Sequence, residues 1–505
     1  LSSILPEQQR ANGHVTHYGV SLIWQLNVTI NRAVCRKVPP ETETYLEARP
    51  AGTGSAGLRD RSGSVEIVIK GARFTEADAE AQVHGICFKT GPPERVGVEL
   101  EWLVRDRRDP ALPVQAEQVA ATLAGFGPPD GEGYMGQAPH PVPCKFPSGA
   151  SLTLEPGGQL ELSSAPAGTL GELHEVTGSD LAALRDAAAA AGLELCGYGL
   201  DPIRPPRRLL DLPRYAAMEK FFDREGPWGR QMMCGTASVQ VCLDAGDDGA
   251  GSSGYRSRWR LLHAIGPVLV AAFANSPLRD GKPTGWRSAR QQVWANMDPG
   301  RTRAPGSPGP GKGAAEADGD PRDAWAAYAL DADLMCVRDP GSQDWSVPAG
   351  VTFRDWLREG GSGPLRAPTA EDLDYHLSTL FPPVRPRGHM ELRMIDAQPG
   401  DGWIVPAAVV TALADDTQAA DAAMAAAEPV WDGSDDAHGP WLRAAQRGPA
   451  DPLIGRASKH CFEAAGSALA RLDAPAAVRQ AVTDFTERYV LKDRCPADDQ
   501  LDGVS

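Results

Sequence analysis

Four segments far apart in the chain alternate apolar and polar residues with a period of two, and glutamate recurs at their polar positions. Val96-Gly-Val-Glu-Leu-Glu-Trp-Leu-Val104 sets Val96, Val98, Leu100, Trp102 and Val104 on one face and Glu99 and Glu101 on the other. Leu152-Thr-Leu-Glu155 runs through Pro156-Gly-Gly158 into Gln159-Leu-Glu-Leu-Ser163, a strand, a turn and a second strand with Gln159, Glu161 and Ser163 on its polar side. Ser238 to Asp244 presents Gln240 in the same way, and His389 to Met394 presents Glu391 and Arg393. An antiparallel sheet with one wet face explains the alternation. It does not explain polar faces without lysine. Carboxylates brought together on one sheet repel one another unless cations lie among them.

Helical segments fill the gaps and place the chain in the α+β class. Ser179 is read as the cap of an Ala-rich helix ending at Gly192. Trp259 to Asn275 reads as one buried helix, and Pro406–Asp415, Ser458–Leu472 and Ala474–Leu491 as helices of a C-terminal part. Three regions are expected: a flexible extension over residues 1–63, a catalytic core over 64–415 with ordered patterning from about Val65, and a helical part over 416–505 packed on that core. Residues 302–322, rich in Gly, Pro and Ala, read as a mobile loop or disordered insertion, and as one candidate lid.

Lys and Arg number 50 against 66 Asp and Glu, a net charge of −16, which excludes a basic nucleic-acid or anionic-membrane surface. The nine cysteines are scattered without a CxxC pair and read as reduced thiols of a cytoplasmic protein. Gly306-Ser-Pro-Gly-Pro-Gly-Lys-Gly313 approaches a phosphate-binding loop. It has Gly313 where the hydroxyl belongs, two prolines and no strand before it, so composition explains it better.

Singly, each acidic motif has an ordinary reading. An ExE pair is a common exposed feature, and Glu391 beside Arg393 is commonly a surface ion pair. Two carboxylates alone could serve a glycosidase, but that chemistry needs neither five acids nor a strand-borne Arg. His376 and His389 read equally well as structural hydrogen-bonders.

The segments Gly97-Val-Glu-Leu-Glu-Trp102, Leu154-Glu-Pro-Gly-Gly-Gln-Leu-Glu-Leu-Ser163, Thr236–Asp244, Ala274-Asn-Ser-Pro277, Gly281–Arg290, His376-Leu-Ser-Thr-Leu-Phe-Pro-Pro-Val-Arg385 and Met390-Glu-Leu-Arg393 occur in order. Together they resemble the plant and proteobacterial-type glutamate–cysteine ligase family over about residues 95–415, in the branch tied to ergothioneine synthesis in actinobacteria. The resemblance implies a glutamine-synthetase-like fold, a curved antiparallel sheet forming an active-site funnel with helices outside. It implies ATP as co-substrate, Mg²⁺ as cofactor, and glutamate and cysteine as substrates. Glu99, Glu101, Glu155, Glu161, Gln240 and Glu391 become metal ligands or their close support. Arg393 meets the transferring phosphate, and Arg290 and Gln159 bind substrate. Cys234-Gly-Thr236 replaces a family Leu-Arg-Thr, so one family Arg is missing. A related ligase using another amine, and a non-catalytic protein keeping the fold, are the alternatives. Oligomeric state is open, with a monomer slightly favoured.

Overall fold

A computed structural model of the chain describes residues 73–126, 144–305, 319–432 and 436–504. The expected extension over 1–63, the patterning at Val65 and the Gly306–Gly313 segment lie outside these residues.

The alternating segments become strands. In chain order these are β1 (Val96–Asp106), β2 (Cys144–Lys145), β3 (Ser151–Leu154), β4 (Leu160–Ser163), β5 (Leu193–Cys196), β6 (Ser238–Asp244), β7 (Leu278–Arg279), β8 (Lys282–Pro283), β9 (Val384–Pro386) and β10 (His389–Asp396). Among the described residues, eight of them form one sheet in the order β2-β3-β4-β1-β6-β10-β9, with β5 on the second half of β1. Every pairing is antiparallel. β7 and β8 form a separate hairpin.

Register decides which side chains meet. Glu161 lies opposite Glu101 and Thr153, and Ser163 opposite Glu99 and Ser151. Gln240 lies opposite Glu99 from the other side. Cys242 faces both Gly97 and Glu391, and Glu391 faces Arg385. One face therefore collects polar groups from six strands, β1, β3, β4, β6, β9 and β10. Val98, Leu100, Trp102, Val239, Val241, Leu243, Met390 and Leu392 point the other way into the main core.

β10 carries a bulge. Leu392 pairs Val241 and Ile395 pairs Val239, so Arg393 and Met394 together stand against Gln240. The extra residue shifts the alternation by one. Glu391 and Arg393 hold the polar face, and after the bulge Asp396 holds it too, opposite Ser238.

The apolar face is covered by helices. The Ile404–Asp415 helix is buried along nearly its whole length, as an all-apolar helix inside a large protein should be. The Thr417–Trp431, Pro452–Arg471 and Ala476–Arg488 helices contribute to the same core.

Two helix readings need correction. The Ala-rich helix runs from Leu170 to Ala190, capped by Thr169, whose side chain accepts from the Glu172 N–H; Ser179 is interior. The expected Trp259–Asn275 helix is two helices, Tyr255–Ala264 and Gly266–Ala272. They break where Pro267 removes a donor. A Cβ at Gly266 would sit 2.0 Å from the Trp441 ring, so only glycine admits that close approach. The expected loop over 302–322 meets helices at both ends, Pro299–Thr302 and Pro321–Asp331, and its residues 306–318 lie outside the described ones.

Two histidines are sealed in this core. His263 Nδ1 lies 2.8 Å from the Trp259 carbonyl and His376 Nε2 2.8 Å from that of Ala329. Burial lowers their pKa values to about 4 and about 3, with the Arg301 charge assisting at His376. The unfolded chain takes up protons near pH 6.5 and the folded chain resists until well below, so acidification favours unfolding. Their contribution is complete above about pH 6.5, and by pH 5 each histidine has lost ~2 kcal/mol of it. Urea unfolding between pH 7 and pH 5 should show His263→Gln losing less stability than the wild type, or gaining more, because the variant lacks one of these histidines.

Candidate active site

Glu99 and Glu101 are presented by β1, Glu161 by β4, Gln240 by β6, and Glu391 and Arg393 by β10. Glu155 follows β3 on a turn closed by Gly158 N–H to Glu155 O at 2.9 Å. That turn needs its glycines. Gly158 has φ of +90°, and a Cβ on Gly157 would lie 2.4 Å from the Cys234 carbonyl oxygen.

The four carboxylates at 99, 101, 155 and 161 keep some contact with solvent yet sit deep among protein atoms. Burial, then the Glu391 charge, pushes Glu99 up to about 7. Burial, then the Glu101 charge, does the same at Glu155. Glu161 is pushed well above the carboxylate range by burial and by Glu99, Glu155 and Glu101 together. Its side chain accepts from Thr153 Oγ1 at 3.0 Å and Ser163 Oγ at 3.3 Å. Glu101 accepts from Ser238 Oγ at 2.9 Å and Gln240 Nε2 at 3.0 Å. These groups feel one another's charge, so the structure brings them together on one face.

Glu391 differs. It is fully buried, and Arg385 grips it with Nε and Nη2 at 2.8 Å each while donating Nη1 to the Leu380 carbonyl. Arg393 also pairs with Glu391 and donates to Gln240 Oε1. Burial alone would raise the Glu391 pKa, but Arg385, Arg393 and Arg387 hold it well below the usual range. Glu391 and Gln240 are thus already engaged by guanidiniums.

Arg393 keeps Nε buried without a hydrogen bond among the described residues. Arg290, on the short Ala289–Ala295 helix, is 2% exposed. Its Nη2 donates to the Arg393 carbonyl at 2.8 Å, while Nε and Nη1 have no hydrogen bond. Buried donors of this kind are costly to leave unmet and suit a bound anion.

Gln159 is placed differently from the sequence reading. Its strand begins one residue later, at Leu160. Its Nε2 donates to the Met233 and Thr236 carbonyls at 3.2 and 2.9 Å, and its Oε1 accepts from Gly157 N–H at 3.0 Å. The side chain braces the turn that carries Glu155, and its amide is taken up by the backbone.

Two cations escaped the sequence reading. Arg385 closes the His376–Arg385 segment, but its grip on Glu391 depends on the β9–β10 register, which spacing does not reveal. Arg214 donates to Ser378 Oγ and O at 3.1 Å each, lies 5.1 Å from the Tyr375 ring centroid, and places its charge near Glu155. Nothing local in the sequence marked it.

Among the described residues, no three His, Cys, Asp or Glu side chains are gathered tightly enough to hold a metal ion as they stand. The donor set still fits a hard cation, which takes carboxylate oxygens. Glutamate side chains on neighbouring strands can turn toward a common point by rotamer change. The raised proton affinities of Glu99, Glu155 and Glu161 come from burial first and from neighbouring carboxylate charge second.

A sheet face lined by half-buried carboxylates, with two guanidiniums among them that keep buried donors without hydrogen bonds, suits an enzyme acting on anionic substrates. The chain belongs to the family described as Glutamate-cysteine ligase family 2 (GCS2), whose match spans residues 95–502. It is 37% identical to the glutamate–cysteine ligase EgtA of Mycobacterium tuberculosis (strain CDC 1551 / Oshkosh), over 90% of this chain and 95% of that protein. It is 38% identical to EgtA of Mycolicibacterium smegmatis, over 85% and 92%. A chloroplastic glutamate–cysteine ligase of Medicago truncatula is 33% identical, over 49% and 47%.

The buried Glu391–Arg385 pair predicts a stability effect separate from activity. Arg385→Met leaves a buried carboxylate short of its bidentate partner and should lower the unfolding free energy by about 3–5 kcal/mol, measured by urea denaturation.

Proposed function

We propose that this chain catalyses ATP-dependent ligation of the glutamate γ-carboxylate to the amino group of cysteine, giving γ-glutamylcysteine, ADP and phosphate. The product would feed synthesis of a low-molecular-weight thiol of the ergothioneine kind, the branch of the family that the sequence motifs resemble. The observation that carries the reading is the convergence of Glu99, Glu101, Glu155 and Glu161 on the face that also bears Arg393.

The reaction is two displacements. A γ-carboxylate oxygen of glutamate attacks the γ-phosphorus of ATP, and the bond to the bridging oxygen of ADP breaks. The cysteine amine then attacks the acyl carbon of γ-glutamyl phosphate, phosphate leaves, and one proton is released. Both steps begin with anions forced together, so positioning and charge stabilisation dominate. Mg²⁺ held by Glu99, Glu101, Glu155 and Glu161 would neutralise phosphate charge, with Gln240 and Glu391 supporting the set through Arg393. Arg393 presents a guanidinium to the transferring phosphoryl group. Arg290, with Nε and Nη1 free of hydrogen bonds, holds the α-carboxylate of glutamate. The face itself supplies no residue that fixes the identity of the amine, so cysteine rests on the relatives.

ADP release measured with glutamate, Mg²⁺, ATP and a panel of amines should be stimulated by cysteine above the other amines. Glu101→Gln and Glu161→Gln should each lower kcat by ~100-fold or more. Wild-type turnover in both variants would remove the proposed role of this face, and preference for another amine would reassign the acceptor.

A further inference from the structure

The bulge in β10 frees two backbone carbonyls, at Arg393 and Met394, and consecutive residues of the Ala289–Ala295 helix cap them. Arg290 Nη2 donates to Arg393 O and Gln291 Nε2 to Met394 O, both at 2.8 Å. The carbonyl of one site arginine is thus held by the side chain of the other. What fixes that helix on the bulge is Asp396, which is 2% exposed.

Asp396 is a hub. Its Oδ1 accepts from Ser288 Oγ at 2.9 Å, and its Oδ2 from Asn275 N–H at 2.9 Å and Ser276 Oγ at 2.7 Å. Its Oδ1 also lies 3.8 Å from Arg290 Nη1 as an ion pair. Ser276 Oγ in turn accepts from the Arg290 N–H at 3.1 Å, and Ser288 Oγ caps the helix by accepting from Gln291 N–H at 3.1 Å. Three elements, the end of β10, the 274–277 loop and the helix start, meet on this carboxylate.

The C-terminal helix Pro496–Asp502 locks the loop from outside. Gln500 Nε2 donates to Asn275 Oδ1 at 2.6 Å and to Asn275 O at 3.1 Å. Ala497 N–H donates to Ala274 O at 2.9 Å, and Asp498 pairs with Arg287 at 2.8 Å. Asn275 is therefore held between Gln500 and Asp396.

We propose that Asp396 is a positioning residue of the site: it sets the Arg290 guanidinium against Arg393, and Gln500 of the C-terminal helix keeps the Asn275 loop in place to let it do so. This rests on Arg290 as the holder of the glutamate α-carboxylate. The charge of Asp396 matters as well as its shape, because it accepts three hydrogen bonds and faces a guanidinium at once. An asparagine of equal size turns one acceptor into a donor aimed at other donors. Arg290 would then shift while the nucleotide side of the face stays as it was.

Steady-state kinetics of Asp396→Asn, Gln500→Ala and Arg290→Gln in the full chain test this. Asp396→Asn should raise the KM for glutamate ~10- to 100-fold, the size of effect expected from losing a supporting carboxylate or displacing a group by about an ångström, with the KM for ATP within about twofold of wild type. Gln500→Ala, which changes a side chain outside the site, should raise the glutamate KM by roughly two- to fivefold with the same selectivity. It carries the test if Asp396→Asn does not fold. The inference is overturned by a glutamate KM at the wild-type value in the variant that carries the test, or by glutamate, ATP and cysteine KM values rising together, as a general loss of structure would produce. If Arg290→Gln leaves the glutamate KM unchanged, the role given to Arg290 falls, and the inference with it. If Arg290→Gln raises it and Asp396→Asn does not, the inference alone falls.

Discussion

Like charges opposite one another on hydrogen-bonded strands repel, and this sheet accepts that repulsion at its centre. Glu101 and Glu161 are register partners, and Glu99 sits one row along. Side chains so placed approach to roughly 5 Å at their Cβ atoms. Burial first, and this repulsion after it, raise the proton affinities of Glu99, Glu155 and Glu161. What sustains the arrangement is the reverse side of the same strands, where Val98, Leu100, Trp102, Val239, Val241 and Leu392 are buried beneath the Ile404–Asp415 helix and its neighbours. Period-two geometry makes the two effects inseparable, because each strand that delivers a carboxylate to one face delivers an apolar residue to the other.

The cationic side is organised by a defect in that regularity. A strand with unbroken alternation would turn Asp396 to the face of Val239 and Val241, where a carboxylate would lie in the apolar core. The extra residue at Arg393 and Met394 turns it toward Ser276, Ser288 and Arg290 instead. Bulges commonly re-aim side chains beside functional sites. Here one bulge opens the carbonyl that Arg290 occupies and brings Asp396 to the face that Glu391 and Arg393 already share by alternation.

Alternation made the carboxylate face legible in the sequence, because side-chain direction in a strand is fixed by parity alone. Parity alone assigns Glu99, Glu101, Glu161, Gln240, Glu391 and Arg393 to the polar sides of their strands, and the register sets those sides together. Parity fails where the chain leaves the regular strand. Gln159 shares parity with Glu161 but precedes Leu160, the first paired residue, and its side chain turns to the Met233 and Thr236 carbonyls. Asp396 lies past a bulge that no local pattern announces. Arg385 acquires its meaning only from the β9–β10 pairing, and Arg214 only from the Ser378 and Tyr375 contacts across 164 and 161 residues of sequence. Ser179 and Thr169 are both good capping residues, and the helix starts after Thr169. The turn of leucines at 170, 173, 181 and 184 facing the core decided the earlier start.

Donor allocation explains why this face can be rigid and still bind. A guanidinium has five N–H donors. Arg385 spends three on Glu391 and the Leu380 carbonyl and is consumed by structure. Arg290 spends one on the bulge and keeps Nε and Nη1 without hydrogen bonds, and Arg393 keeps Nε. The fixed bonds set direction, and the spare donors set what the site can hold. A lysine at 290 could hold the Arg393 carbonyl or meet a bidentate carboxylate, but its compact ammonium lacks the planar fork that does both at once. The sheet therefore needs arginine at that position for the same reason that it needs Asp396 beside it: one group must be anchored and ready together.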